Sequence, residues 1–286
     1  MVKTTQDRVF NGVVVLILGV VGAICLFPLL FVASASLTPF ADILKNGGYV
    51  LIPSSITFSA YQELLKYAGV VRAFGVTVTI TVLGTLINMV LTTLMSYALS
   101  RKELPGRSLF LFMVVFTLLF SGGLIPLYLV VRATGLTNTI WAMIIPNAIW
   151  SFNVLVMKSF FENLPGELFE AARMDGSGEF RMLWQIVIPL SVPVMLTIGL
   201  FYGVGHWNEY FQGIMYITNT NLYPLQVVID NILTQSQQSI ENVDATVPTM
   251  TIQMAAVVIA SLPIIVVYPF LQKHFTKGML IGSIKG

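Results

Sequence analysis

The sequence predicts an all-α integral membrane protein with six transmembrane helices, and two observations carry that reading. Only 10% of its 286 residues are Asp, Glu, Lys or Arg, while 56% are hydrophobic. An ordinary soluble domain has roughly 25% charged residues, so this chain lacks the charge to cover a water-facing surface. The second observation is where the charges are missing: windows 9–41, 73–100, 108–131, 133–157, 182–208 and 245–272 contain none. Each can supply the roughly 20 residues that cross about 30 Å of hydrocarbon as a helix. A net charge of +2 leaves no footprint for nucleic acid, and the lone Cys25 excludes an intrachain disulfide.

Spans are expected near 13–35, 74–100, 108–131, 139–161, 184–204 and 248–270, as helices because lipid offers the backbone no partner. Lys3 and Arg8 precede the first. It outruns a signal-peptide core and continues through Phe27-Pro28-Leu29-Leu30-Phe31, so it reads as a retained anchor despite the cleavage-like Ala33-Ser34-Ala35. The second carries Thr77, Thr79, Thr81, Thr85 and Asn88, all neutral. Helix breakers mark the third, Ser121-Gly122-Gly123 with Pro126, and the fifth, Pro189 and Pro193. The fourth holds Asn147, Trp150, Ser151 and Asn153. The uncharged run 210–229 contains Asn219, Thr220, Asn221 and Pro224 and reads as part of a polar loop, 205–247.

Orientation follows from Lys and Arg in the short loops. Six spans place both termini and the loops after spans two and four on one side, which then holds eleven of the basic residues against four on the other. Both termini are therefore expected in the cytoplasm. The stretch 205–247 has no Lys or Arg, as suits an external loop.

The windows contain no ionisable group except His206 beside an external boundary. A proton- or voltage-driven transporter normally needs one inside its spans. No HExxH pair occurs, the two histidines cannot build a two-His zinc site from one face of the membrane, and Cys25 has no nearby base. Neutral polar residues remain, and two readings stay open for them. They are helix–helix glue worth about 1 kcal/mol each, or they line a path for a neutral, hydroxyl-rich solute. For the threonines glue is favoured, since hydroxyls readily bond their own backbone. Asn147, Trp150 and Asn153, with Trp207, Asn208 and Tyr210 beyond span five, are the candidates for the path.

Loop 162–183 carries the densest charge. Pro165 suits a first helical turn, Glu167 a helix N-terminus, and Gly176 the left-handed geometry that ends a helix. A short helix is expected outside the membrane, and such a helix is marginal alone. Glu162, Glu167, Glu170, Asp175 and Glu179 fit it poorly to an anionic lipid surface, so a protein partner is favoured.

Glu170-Ala171-Ala172, three residues, Gly176, nine residues, then Ile186-x-Ile188-Pro189 resembles the signature of ABC importer permeases over 20 positions, with Ile188 where Leu is usual. Ile140-Trp141-Ala142, Met174-Asp175-Gly176-Ser177, Trp207-Asn208-x-Tyr210-Phe211 and the ending from Lys277-Gly278 to Lys285-Gly286 resemble the carbohydrate branch. Phe120 to Pro126 is similar to a subgroup handling complex, including uronate-containing, oligosaccharides. The resemblance implies a single permease domain over 1–286 with the type I ABC-importer permease fold, in a bacterial cytoplasmic membrane. It also implies a second permease subunit, two ATP-binding subunits that hold ATP and Mg, and a solute-binding protein outside. The chain itself has no GxxxxGK[ST] phosphate loop and is expected to bind no cofactor and catalyse nothing.

In that family a helix at 166–176 couples to an ATP-binding subunit. Glu170 would anchor it to a basic residue, Ala171 and Ala172 would pack closely, and Asp175 and Gly176 would form its end. Asn219, Thr220, Asn221, Gln238 and Asp244 are the expected contacts with the binding protein. Two alternatives remain: a permease for a polyol or glycerol phosphate, and a membrane scaffold that recruits a cytoplasmic partner.

Overall fold

A computed structural model describes residues 5–67, 69–238 and 250–283, and every regular element among them is helical. The helices are α1 (Thr5–Leu37), α2 (Phe40–Lys45), α3 (Ser59–Lys66), α4 (Val70–Ser100), α5 (Arg107–Leu119), α6 (Leu124–Ala133) and α7 (Ser151–Glu162). They continue as α8 (Gly166–Met174), α9 (Glu179–Met182), α10 (Ile188–Leu190), α11 (Val192–Trp207), α12 (Phe211–Tyr216), α13 (Leu225–Gln238) and α14 (Met250–Ser283).

Three stretches are unbroken, long and apolar enough to cross a membrane: Val9–Leu37, Val70–Ser100 and Met250–Val267. They contain the first two expected spans and most of the sixth. The other three windows are broken, and the count reaches six only when each bent pair is taken as one span. The window 108–131 is divided at Phe120–Gly123, where α5 and α6 meet at 117°. Gly123 adopts φ +85, which ends one helix and starts the next in another direction.

The first half of 139–161 is not α-helix. Two 3-10 turns, Ile140–Met143 and Ile145–Asn147, precede α7 at an angle of 51°. Asn138 enters them at φ +59, and Pro146 cannot donate to a ladder. In the fifth window the chain widens to π-helix over Leu183–Val187 and turns by 84° between α10 and α11. Pro189 and Pro193 remove the donors that would keep it straight.

The expected polar loop at 210–229 is instead structured. It holds α12, a 3-10 turn at Thr220–Leu222 and the start of α13, with Gly213, Tyr216, Ile217 and Leu225 buried. Asn and Thr dominate its surface, and its apolar residues are too short a run to register as a span.

The chain divides into two compact units. In the unit of Met1–Val70 and Ile229–Leu262, Ala35, Ile43 and Val50 pack with Phe31, Met250 and Met254. Ser36 and Tyr61 hydroxyls meet at 2.8 Å, and the Thr57 N–H donates to Leu37 O at 2.8 Å. Phe10, Val15, Leu16 and Ile24 of α1 are more than half exposed, an apolar face suited to lipid or another membrane chain.

In the unit of Val71–Val228 and Pro263–Gly286, α4 and α11 approach closely. Gly199 and Gly203 face Met89 and Thr85, and the Thr92 and Tyr202 hydroxyls lie 2.6 Å apart. Small residues in such a row let helix backbones come together in lipid.

Candidate functional site

Helix α8 starts after Pro165, whose carbonyl accepts from the Leu168 N–H at 3.3 Å. Its end is a Schellman motif. The Ser177 N–H donates to Ala172 O at 2.9 Å, and the Gly176 N–H donates to Arg173 O at 3.0 Å, with Gly176 at φ +76. The helix has two different faces. Phe169 and Ala172, the latter only 6% exposed, join a core of Tyr97, Met157, Phe161, Met182 and Leu183. Glu170, Ala171 and Asp175 are exposed, and Met174 is 85% exposed. The expectation for Ala172 is thereby corrected: it packs against the chain's own core, because α8 must bury one stripe to be stable at all. Only Ala171 leaves a small side chain on the free face.

A polar cluster holds α8 to the end of α4. The Arg101 guanidinium lies 3.9 Å from the Phe169 ring centroid and 4.4 Å from that of Tyr97. It donates to the Tyr97 hydroxyl at 2.7 Å, and that hydroxyl donates to Glu179 Oε2 at 2.6 Å. Arg173 of α8 reaches Glu179 at 3.2 Å and Glu103 at 3.6 Å. Burial by itself would raise the Glu179 carboxyl. Hydrogen bonds from Tyr97 and Arg173, with the charges of Arg101 and Arg173, outweigh it and hold the group below the usual carboxylate range. Nearby, Glu162 pairs with Arg107 and with Lys158, the latter at 2.7 Å.

The residues expected along a path differ in their surroundings. Trp150 packs on Tyr202 with ring centroids 5.0 Å apart, and the Trp150 backbone N–H donates to the Tyr202 hydroxyl at 3.1 Å. Trp207 meets Phe74 edge-on at 5.8 Å. Both tryptophans line a cavity of about 1040 Å³ with Met89, Ile188, Leu200 and Ile264, and among the described residues Thr81 is the only hydroxyl-bearing side chain on its wall. An apolar lining of this kind suits hydrocarbon better than a sugar. Asn147 and Asn208 are exposed, and Asn208 Nδ2 donates back to Val204 O at 2.9 Å. Asn153 is 1% exposed with neither amide atom partnered. Tyr210 is half-buried. Of the six, Trp150 and Trp207 line the cavity described here.

The family description "Binding-protein-dependent transport system inner membrane component" matches residues 98–281, a stretch that includes α8 and the bent fifth window. The chain belongs to this family. Protein LplC of Bacillus subtilis (strain 168) is 43% identical over 290 residues, covering 100% of this chain and 98% of LplC. The polygalacturonan/rhamnogalacturonan transport system permease protein YtcP of the same organism is 39% identical, over 98% of this chain and 100% of its own. A crystal structure of a bacterial ABC transporter involved in the import of the acidic polysaccharide alginate superposes with a TM-score of 0.85. It is 30% identical and covers 95% of this chain and 98% of its own.

Within this family member, sequence reasoning passed over the contact between Asn88 and His206, whose side chains lie 3.0 Å apart in the core. The signal was Gly84, one turn before Asn88: a Cβ there would stand 2.5 Å from the His206 ring. Asn219 accepts from the Asn221 N–H at 3.0 Å, and Asn221 pairs with Arg72. Asn138 Oδ1 accepts from the Thr218 and Asn219 backbones at 2.6 and 3.0 Å. Thr220 is exposed. The Gln238 side chain and Asp244 lie outside the described residues.

Glu209 follows the end of α11. Burial pushes its carboxyl up to about 7, partly offset by the Gln212 N–H that it accepts at 3.0 Å. The folded chain therefore holds this proton from the ordinary carboxylate value to about 7. Its stabilising effect is complete below the ordinary value and is lost as pH rises through the folded one. The melting temperature of the purified protein is expected to fall between pH 4.5 and about 7, and Glu209→Gln is expected to flatten that slope. An unchanged slope in the variant would assign it to other groups.

Proposed function

We propose that the chain is one permease subunit of an ATP-driven importer for an oligosaccharide, with uronate-containing saccharides as the class. It forms half of the translocation pathway in a bacterial cytoplasmic membrane, as a single permease domain of six spans, three of them bent, with both termini in the cytoplasm. Its partners are a second homologous permease, two ATP-binding subunits that hold ATP and Mg, and an extracytoplasmic solute-binding protein. Helix α8 docks on an ATP-binding subunit through Glu170, Ala171 and Asp175, and Gly176 turns the chain back toward the spans. The loop around Asn219–Asn221 faces the binding protein.

The observation that carries the coupling role is the two-faced α8. One stripe is locked onto the chain's own core, and the other presents exposed acid and small side chains, with nothing among the described residues packed on Glu170 or Ala171. The acidic-saccharide class is supported by the polygalacturonan permease at 39% identity and the alginate importer at 30%. With the four-subunit complex reconstituted, ATP hydrolysis is expected to rise when the binding protein carries an oligogalacturonate and to stay low with a neutral maltooligosaccharide. Equal stimulation by the neutral sugar would remove the acidic class. Stimulation only by a polyol or glycerol phosphate would remove sugar altogether.

A further inference from the structure

We infer that Arg101 is a positioning residue for coupling, the rigid link through which movement of α8 enters the long helix α4. The inference rests on the docking role proposed for α8. Its own ground is a set of contacts that no residue of the Glu170-to-Pro189 signature supplies. Arg101 follows the last residue of α4, and its guanidinium lies near two rings, Tyr97 on its own helix and Phe169 on α8. Its side chain is only 17% exposed, so the cation–π attraction is poorly screened. A planar guanidinium can stack on rings while donating in its plane, and here it donates to the Tyr97 hydroxyl at 2.7 Å. Glu179 Oε2, accepting from that hydroxyl, lies 3.4 Å from Arg101 Nε and ties in the helix that leads to the fifth window.

Among the described residues, the other ties between α8 and its surroundings are softer or more exposed. Arg173 reaches Glu103 and Glu179 across 3.6 and 3.2 Å with its side chain 45% exposed, and such pairs contribute little. Phe169 and Ala172 are buried among apolar neighbours, which resist separation but resist sliding far less. Arg101 joins both helices at once, with a hydrogen bond to Tyr97 on α4 and its guanidinium over the Phe169 ring on α8. A displacement of α8 along the membrane plane must therefore carry the end of α4 with it or break the stack.

The test uses the assembled transporter in lipid nanodiscs. It compares wild type, Arg101→Lys, Arg101→Ala and Tyr97→Phe, with Glu170→Arg as a control for docking. The readouts are the ratio of ATP hydrolysis with and without loaded binding protein, and the amount of ATP-binding subunit that co-purifies. Arg101→Lys and Arg101→Ala are expected to keep the ATP-binding subunits bound while the ratio falls about tenfold, within the usual span of coupling energies. Tyr97→Phe keeps both rings and is expected to fall between them and wild type. A wild-type ratio in both Arg101 variants overturns the inference. So does loss of the ATP-binding subunits in them, since Arg101 would then maintain the dock rather than transmit its motion. If Glu170→Arg also couples normally, the docking role of α8 fails with it; if only Glu170→Arg uncouples, the docking role stands and Arg101 does not.

Discussion

Glu170→Arg is expected to abolish uptake and to release the ATP-binding subunits from the purified complex. Glu170 is on the free face of α8, where its carboxylate makes no ion pair within the described residues. In the proposed dock it meets a basic residue of the ATP-binding subunit. Reversal places two cations together at a desolvated contact, and breaking such a pair costs about 2–5 kcal/mol, or roughly 30-fold and upward in affinity. The chain itself should insert and fold normally, because the α8 core contacts run through Phe169 and Ala172. Glu170→Gln, which keeps the shape without the charge, should lose less. Co-purification and uptake at wild-type levels in Glu170→Arg would move the dock elsewhere.

Gly84→Ala is expected to be the most destabilising single methyl that can be added to the helix core. The added Cβ would stand 2.5–2.8 Å from three atoms of the His206 ring. His206 is buried and lies 3.0 Å from Asn88, so the ring cannot withdraw without disturbing a buried polar contact. Overpacking costs about 1–3 kcal/mol and an unsatisfied buried partner a similar amount. The melting temperature of the detergent-purified complex should drop clearly. The double variant Gly84→Ala with His206→Ala should recover part of the loss, because removing the ring restores the space. Equal melting temperatures for wild type and Gly84→Ala would show that α4 and α11 are not held at this distance.

Much of the architecture was legible from where charge is absent. A bilayer imposes a length, and length is a one-dimensional property that uncharged windows record directly. The same holds for Gly176: a residue without Cβ after a short amphipathic stretch marks a left-handed stop, and the chain has φ +76 there. The family signature also lies on a continuous stretch, so membership could be read before any coordinate was known.

Which side of a helix is occupied was not legible. Ala171 and Ala172 are chemically identical neighbours, yet one is exposed and the other joins the core, because Ala172 shares the stripe of Phe169 that meets the core around Tyr97 of α4. The bends at 117°, 51° and 84° turn three apparent spans into broken ones. Prolines and glycines announced the breaks at two of them but not their angles. For the neutral residues named as a path, residue type could not tell helix end, core contact and cavity wall apart, since amides and indoles serve all three: Trp150 and Trp207 line one cavity, while Asn153 is buried.

The sequence alone determined that this is a multi-span helical permease with its scarce charge gathered beside a short capped helix. Backbone satisfaction in lipid and end-capping depend on local order along the chain. Only the tertiary structure decided that Arg101 stacks on Phe169 and that His206 fills the space above Gly84. Those contacts join residues far apart in the chain, and packing between helices, rather than pattern within one, sets them.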